Sequence, residues 1–170
     1  MDRLNLYFPQ WQGSGSTNEI YNGAFLIRKE LETEISFVEI MQPAIENLIV
    51  ENNILGYQRI KKNLLTTSGL LQNLKPRKTF TIGGDCGIEV CPISYLNKVY
   101  NSDISVLWLD AHADLNTPES SPSKTFHGMP LRLLLGEGDS ALKQSLFSCL
   151  KPEQICFYGL RDLDKPEEEY

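Results

Sequence analysis

Two carboxylates and an imidazole stand at alternate positions in Asp110-Ala-His112-Ala-Asp114, directly after the apolar run Ile104-Ser-Val-Leu-Trp-Leu109. Alternate side chains of an extended chain share a face, so all three can converge on one point. Carboxylate oxygens suit hard divalent cations such as Mn²⁺ and Mg²⁺, and imidazole suits the transition metals. Buried acids need a cation to offset desolvation and mutual repulsion. The alternative is a solvated loop that happens to hold two acids and a histidine. It is disfavoured because the residues abut the strongest apolar run in the chain.

Three further segments carry chemistry-bearing residues. Gly83-Gly84-Asp85-Cys86-Gly87 permits a tight turn with Asp85 and Cys86 facing one pocket. Taken alone it reads better as a strand-to-helix turn with an acid at a helix start. Asn116-Thr-Pro118 leads through Ser120, Ser121 and Ser123 to His127-Gly128-Met-Pro130. That hydroxyl-rich loop could hold a polar substrate, and His127 could move protons near neutral pH. A plain surface loop fits the composition about equally. However, His112 and His127 are the chain's only histidines and fall in one region. In Gly159-Leu-Arg161-Asp162-Leu-Asp164 the two aspartates alternate, but the following Pro166-Glu-Glu-Glu-Tyr170 reads as a solvated acidic tail.

The elements that must position these residues alternate. Strands are expected over Leu4–Phe8, Ile35–Ile40, Thr79–Ile82, Ile104–Leu109 and Gln154–Gly159. Helices are expected over Glu19 to about Leu31, Ile54–Leu74, Ile88–Tyr100, Pro130–Leu135 and Ala141–Phe147, with a short one over Ala44–Val50. This rhythm predicts βαβ units, hence an α/β fold with a mostly parallel sheet between helices in three layers. The near-continuous apolar run before Asp110 fits a strand covered on both faces. Ligands in such folds sit at the carboxyl ends of strands, where three of these segments fall.

Composition narrows the field. The net charge is -6 and the pI about 5.0, so no basic face is expected for nucleic acid or anionic lipid. No apolar run is long enough to span a membrane. The start MDRLNLYFPQ lacks the pattern of a signal peptide, so a cytoplasmic location is expected. Of the four cysteines, Cys91 and Cys156 read as small core fillers, and no disulfide framework or CxxC pair exists. Gly83-Gly84 does not complete a dinucleotide-binding fingerprint.

Together GGDCG, DAHADLNTP, HGMPL and GLRDLD resemble, in order, the motifs of the ureohydrolase superfamily, and most closely arginase. The resemblance runs from about Thr79 to Asp164. It implies an arginase-like fold and a binuclear manganese site at the strand ends. Asp110 would bridge the metals, Asp114 would bind one and His112 the other. A hydroxide held between them would attack the guanidinium carbon of an arginine-like substrate, releasing urea. His127 matches the proton-shuttling histidine and, with Asp114, makes up the implied catalytic set. Asn116 and Ser123 match positions holding the substrate's α-carboxylate, and Asp164 one facing its α-amino group. The expected partners are a small guanidino or amide-like substrate and further copies of the chain in a homo-oligomer.

Two departures qualify the expectation. The family motif usually reads Gly-Gly-Asp-His, with the histidine a ligand, whereas here the position is Cys86. A thiolate is a softer ligand and favours zinc or iron over manganese. The family's later Ser-x-Asp-x-Asp motif is also absent, so Cys86, Asp110, His112 and Asp114 form at best a partial set. The 170 residues are therefore expected to be a single, incomplete arginase-like domain, truncated before its second ligand motif. The competing reading is a family member that keeps the fold, has lost the site, and acts by binding or regulation.

Overall fold

The computed structural model describes residues 1–15 and 17–170. The chain opens with strand β1 (Arg3–Phe8) and helix α1 (Glu19–Leu31). A two-residue strand β2 (Val38–Glu39) follows, then the paired strands β3 (Val50–Glu51) and β4 (Ile54–Leu55). Helix α2 (Tyr57–Leu74) leads to β5 (Lys78–Gly83), a 3-10 turn over Cys86–Glu89 and helix α3 (Val90–Val99). Strand β6 (Val106–Leu109), helices α4 (Pro130–Leu134) and α5 (Ser140–Lys143), strand β7 (Ile155–Tyr158) and helix α6 (Lys165–Glu168) complete it.

Strand β1 shows how the sequence builds the layers. Leu4, Leu6 and Phe8 share one face and are buried in a core with Ile60, Leu64 and Leu71 of α2 and Tyr95 of α3. Tyr7 points the other way, into a smaller core with Ala24 of α1 and Ile82 of β5. The period-2 pattern of the strand thus feeds helices on both sides. In α2 the buried set Ile60, Leu64, Thr67 and Leu71 follows helical spacing. Its C-cap Lys75 takes a left-handed φ of 47° just before Pro76, which cannot continue the helix.

The strands are parallel as expected, but they form two pieces. Strands β2, β1 and β5 pair in that order, and β6 pairs with β7. Among the described residues nothing bridges β5 and β6. One expectation changes in consequence. Val106 and Trp108 are buried against Leu131 and Leu134 of α4, but Leu107 and Leu109 are 55% and 69% exposed. Strand β6 is therefore covered on one face, not two.

Other boundaries shift for local reasons. Asn52 and Asn53 both take positive φ, closing a tight turn that pairs β3 with β4 antiparallel. That turn removes Ile54 and Leu55 from the expected long helix. The expected short helix over Ala44–Val50 does not form. The backbone there is bonded outward, with the Pro43 carbonyl accepting from the Trp11 indole and the Ile49 carbonyl from Gly56 N–H. All four cysteines are free; Cys91 is buried as expected, but Cys156 lies on the exposed side of β7. No helix among the described residues is long and apolar enough to cross a membrane.

Candidate metal centre and adjoining cleft

The site is assembled from three strand ends. At the end of β5, Asp85 is buried and caps the 3-10 turn. Its carboxylate accepts from Gly87 N–H at 3.0 Å, Gly13 N–H at 2.8 Å and the Gln10 amide at 2.8 Å. Burial nevertheless pushes it up to about 6. Asp85 is thus the structural cap, and the same turn aims the next residue, Cys86, at the end of β6. The turn needs glycine at position 84, because a Cβ there would overlap the Gln10 carbonyl.

Cys86, Asp110 and Asp114 offer ligand atoms all within 4.8 Å of one another. The Cys86 thiol points at Asp110 Oδ2, 3.8 Å away. Burial first, then Asp114, Asp110 and Asp85, holds that thiol far above the ordinary thiol range. Asp114 is 3% exposed, and its Oδ2 is buried with no hydrogen-bond partner among the described residues. Burial and the neighbouring Asp110 push its carboxyl up to about 7. Its backbone is also unusual, with φ at +55°, and its carbonyl accepts from Leu131 and Arg132 N–H at the start of α4. A non-glycine residue held in the left-handed region at a side-chain cluster is a common mark of a functional site.

His112 stands just outside this trio. Its side chain is 55% exposed, with Nδ1 3.2 Å from Asp110 Oδ1 and Nε2 3.5 Å from Asp162 Oδ2. The Asp110 carboxylate also accepts from His112 N–H at 2.9 Å, which fixes the turn. The loop after β7 braces the loop after β6, because the Ala111 carbonyl accepts from the N–H groups of Arg161 and Asp162.

Above the cluster opens a cleft of about 280 Å³ lined by His112, Asp114, Asn116, Ser123, His127 and Asp164. Six of the eight residues singled out from the sequence thus line one space, whereas Cys86 and Asp110 line the neighbouring groove along β6 and meet the cleft through Asp114. His127 is half-buried; burial and then His112 lower its pKa, so its imidazole is neutral near pH 7 and free to take a proton. Asn116 donates its amide to Asp164 Oδ2 at 2.7 Å and accepts from the Ser120 hydroxyl at 2.8 Å. The Ser123 hydroxyl lies 2.6 Å from that of Thr125.

Sequence reasoning missed Glu167. The acidic tail is not simply solvated: Asp164 caps α6, and Glu167 closes the capping box, accepts from Leu115 N–H at 3.0 Å and lines the cleft. The signal was present in Asp164-Lys-Pro-Glu167, an N-cap followed by proline in the first helical turn and glutamate at the third helical position. Only Glu168 and Glu169 behave as the expected solvated acids.

The donor set fits a divalent cation. A positive ion between Asp110 and Asp114 would partner the orphaned Oδ2 and cancel the repulsion that raises Asp114. Fold and site together define an α/β protein with a Cys/Asp/Asp cluster at the carboxyl ends of parallel strands.

Comparison with known proteins gives the family. The arginase family's sequence pattern matches residues 32–170. Arginase of Staphylococcus aureus (strain MRSA252) is 40% identical over 125 residues, covering 71% of this chain and 40% of that protein. Arginase of Schizosaccharomyces pombe is 36% identical over 124 residues, covering 66% of this chain and 38% of that protein. The fold matches Entamoeba histolytica arginase, solved with L-ornithine, at a TM-score of 0.81 and 24% identity. That match covers 98% of this chain and 60% of the other. Bacillus subtilis arginase follows at 0.70 and 23% identity, covering 100% and 60%. The chain belongs to the arginase family, and it spans about 40% of the length of the first two relatives and 60% of the two solved ones.

Proposed function

We propose that these residues form the substrate cleft and part of the metal centre of a C–N hydrolase acting on a guanidino compound. The observation that carries this reading is Asp114. Its buried, unpartnered Oδ2 lies in a tight group with Cys86 and Asp110, at the floor of a cleft that also holds His127. Manganese, bound as a pair, is the metal this family reading favours. Bound there, the metals acidify a water and stabilise charge in the transition state.

The chain's own residues do the rest. Asp110 and Asp114 would supply hard oxygen ligands to a bound cation, and His112, 3.2 Å from Asp110, would add a nitrogen. His127, neutral at pH 7, carries a proton between the reacting centre and solvent. Asn116, Ser123 and Asp164, joined by Glu167, hold the polar end of the substrate. The ornithine-bound relative supports an arginine-like substrate, with urea as one product. On this reading the protein is a cytoplasmic homo-oligomer.

A second reading rests on Cys86. Its thiol is held protonated against Asp110 where a histidine ligand is expected. A family member with a lost site, acting by binding alone, accounts for that. One experiment separates the two. Purified protein is titrated with Mn²⁺ by calorimetry, then assayed for urea release on a panel of guanidino and amidine compounds. Tight metal with Mn²⁺-dependent urea release supports the hydrolase. Absence of bound metal at millimolar Mn²⁺, with no product, leaves the binding protein.

A further inference from the structure

We propose a second ligand site at the opposite end of the sheet, built for an organic phosphate monoester with an apolar body. The C-terminal ends of α2 and α3 and the segment entering β5 frame an open groove of about 520 Å³. Its apolar wall is made by Tyr95, Val99 and Phe147, with the two rings edge-to-face at 5.1 Å between centroids. Its rim carries Lys75, Arg77 and Lys98. Arg77 directly precedes β5, so the groove lies at the amino ends of the strands. The metal cluster lies at their carboxyl ends, at the other end of α3. Those ten helical residues alone separate the two by about 15 Å.

Charge decides what the groove takes. None of the three cations lies within 4.0 Å of a carboxylate among the described residues. All three line this one groove in a chain whose net charge is -6. Two helix C-termini face the same region, each worth roughly half a negative charge, and basic residues are favoured there for that reason alone. The two ends together offset about one of three positive charges. The rim therefore stays cationic, which suits a phosphate monoester over a neutral ligand. Inorganic phosphate would leave the apolar wall in water, whereas an attached ring or alkyl body covers it and lies against Phe147, over which Lys98 already sits at 5.9 Å.

Phenyl phosphate is the probe, titrated into the full chain in EDTA by calorimetry and by amide chemical shifts. Inorganic phosphate and benzyl alcohol form the control arms. Phenyl phosphate is expected to bind at least tenfold tighter than either control. The shifts should centre on Lys75–Arg77 and Tyr95–Val99, and affinity should fall as salt rises. Lys98→Glu with Arg77→Glu, both at exposed positions, should weaken it a further tenfold or more. Lys98→Gln serves as the milder variant should the double reversal fail to fold. Equal affinity for phosphate and phenyl phosphate overturns the proposal. So do shifts confined to Asp110–Gly128, or charge variants that bind unchanged.

Discussion

The Cys86 thiol lies 3.8 Å from Asp110 Oδ2, at the position where the family motif usually carries a histidine. Replacing it is the most direct probe of the centre. Cys86→His exchanges a protonated thiol for a neutral nitrogen ligand, so Mn²⁺ affinity should rise by roughly tenfold or more. Calorimetric titration of both proteins checks this. Unchanged affinity would remove Cys86 from the coordination sphere.

Asp114 ties stability to pH. Its folded carboxyl is raised to about 7 from an ordinary value near 3.8. A raised acid contributes fully below its unfolded pKa, and that contribution is lost as pH climbs through the folded value. The metal-free protein should therefore weaken between about pH 4 and pH 7. Asp114→Asn cannot ionise, so at pH 8 the metal-free variant should be more stable by on the order of 1–3 kcal/mol. The same change should abolish tight metal binding. Thermal melts in EDTA across pH, paired with Mn²⁺ titrations, test both halves.

Glu89 offers an independent pH probe outside the ligand group. It lines the groove along the free edge of β6, and burial alone pushes it up to about 7. Glu89→Gln should raise the melting temperature at pH 8 by roughly 3 °C and change little at pH 4. Equal effects at both pH values would show that the carboxyl is not held in its neutral form.

Tyr170 anchors the segment that carries Asp164 and Glu167. Its ring stacks 3.2 Å from the Arg132 guanidinium, its hydroxyl donates to Glu137, and Arg132 pairs with the same carboxylate at 2.7 Å. Tyr170→Ala should loosen α6 at a cost of about 1–2 kcal/mol. Limited trypsin digestion should then cut first after Arg161, faster than in the parent protein.

Gly84 tests the turn that aims Cys86. A methyl there meets the backbone carbonyl of Gln10, which no rotamer change can clear. Gly84→Ala should cost about 2–3 kcal/mol or more and weaken metal binding alongside. A melt unchanged to within 1 °C would show that the two loops are free to part.

Much of this was legible because it is local. The apolar run before Asp110 marked a strand end, and alternation within Asp110-Ala-His112-Ala-Asp114 predicted three convergent side chains, of which Asp110 and Asp114 meet while His112 stands outside. Residue types and spacing in four separate segments were enough to identify the family. The helix start at Asp164-Lys-Pro-Glu167 was equally local, and it was obscured only because the acids after it looked solvated. The hairpin turn at Asn52-Asn53 was likewise written in the chain but was outweighed by the helical spacing that follows.

The sequence by itself therefore determined the family, the α/β rhythm and the residues at the strand ends, since each depends on neighbours a few positions apart. Only the tertiary structure decided how those residues meet. It drew Cys86 and Asp114 together from opposite ends of a 28-residue interval, left Oδ2 of Asp114 without a partner, and turned His112 outward. It also left β5 and β6 unpaired, with one face of β6 in solvent. Burial, charge repulsion and orientation depend on what packs from distant parts of the chain. For that reason Asp110-Ala-His112-Ala-Asp114 could announce a cation site, while its strength and completeness rest on the three-dimensional arrangement around it.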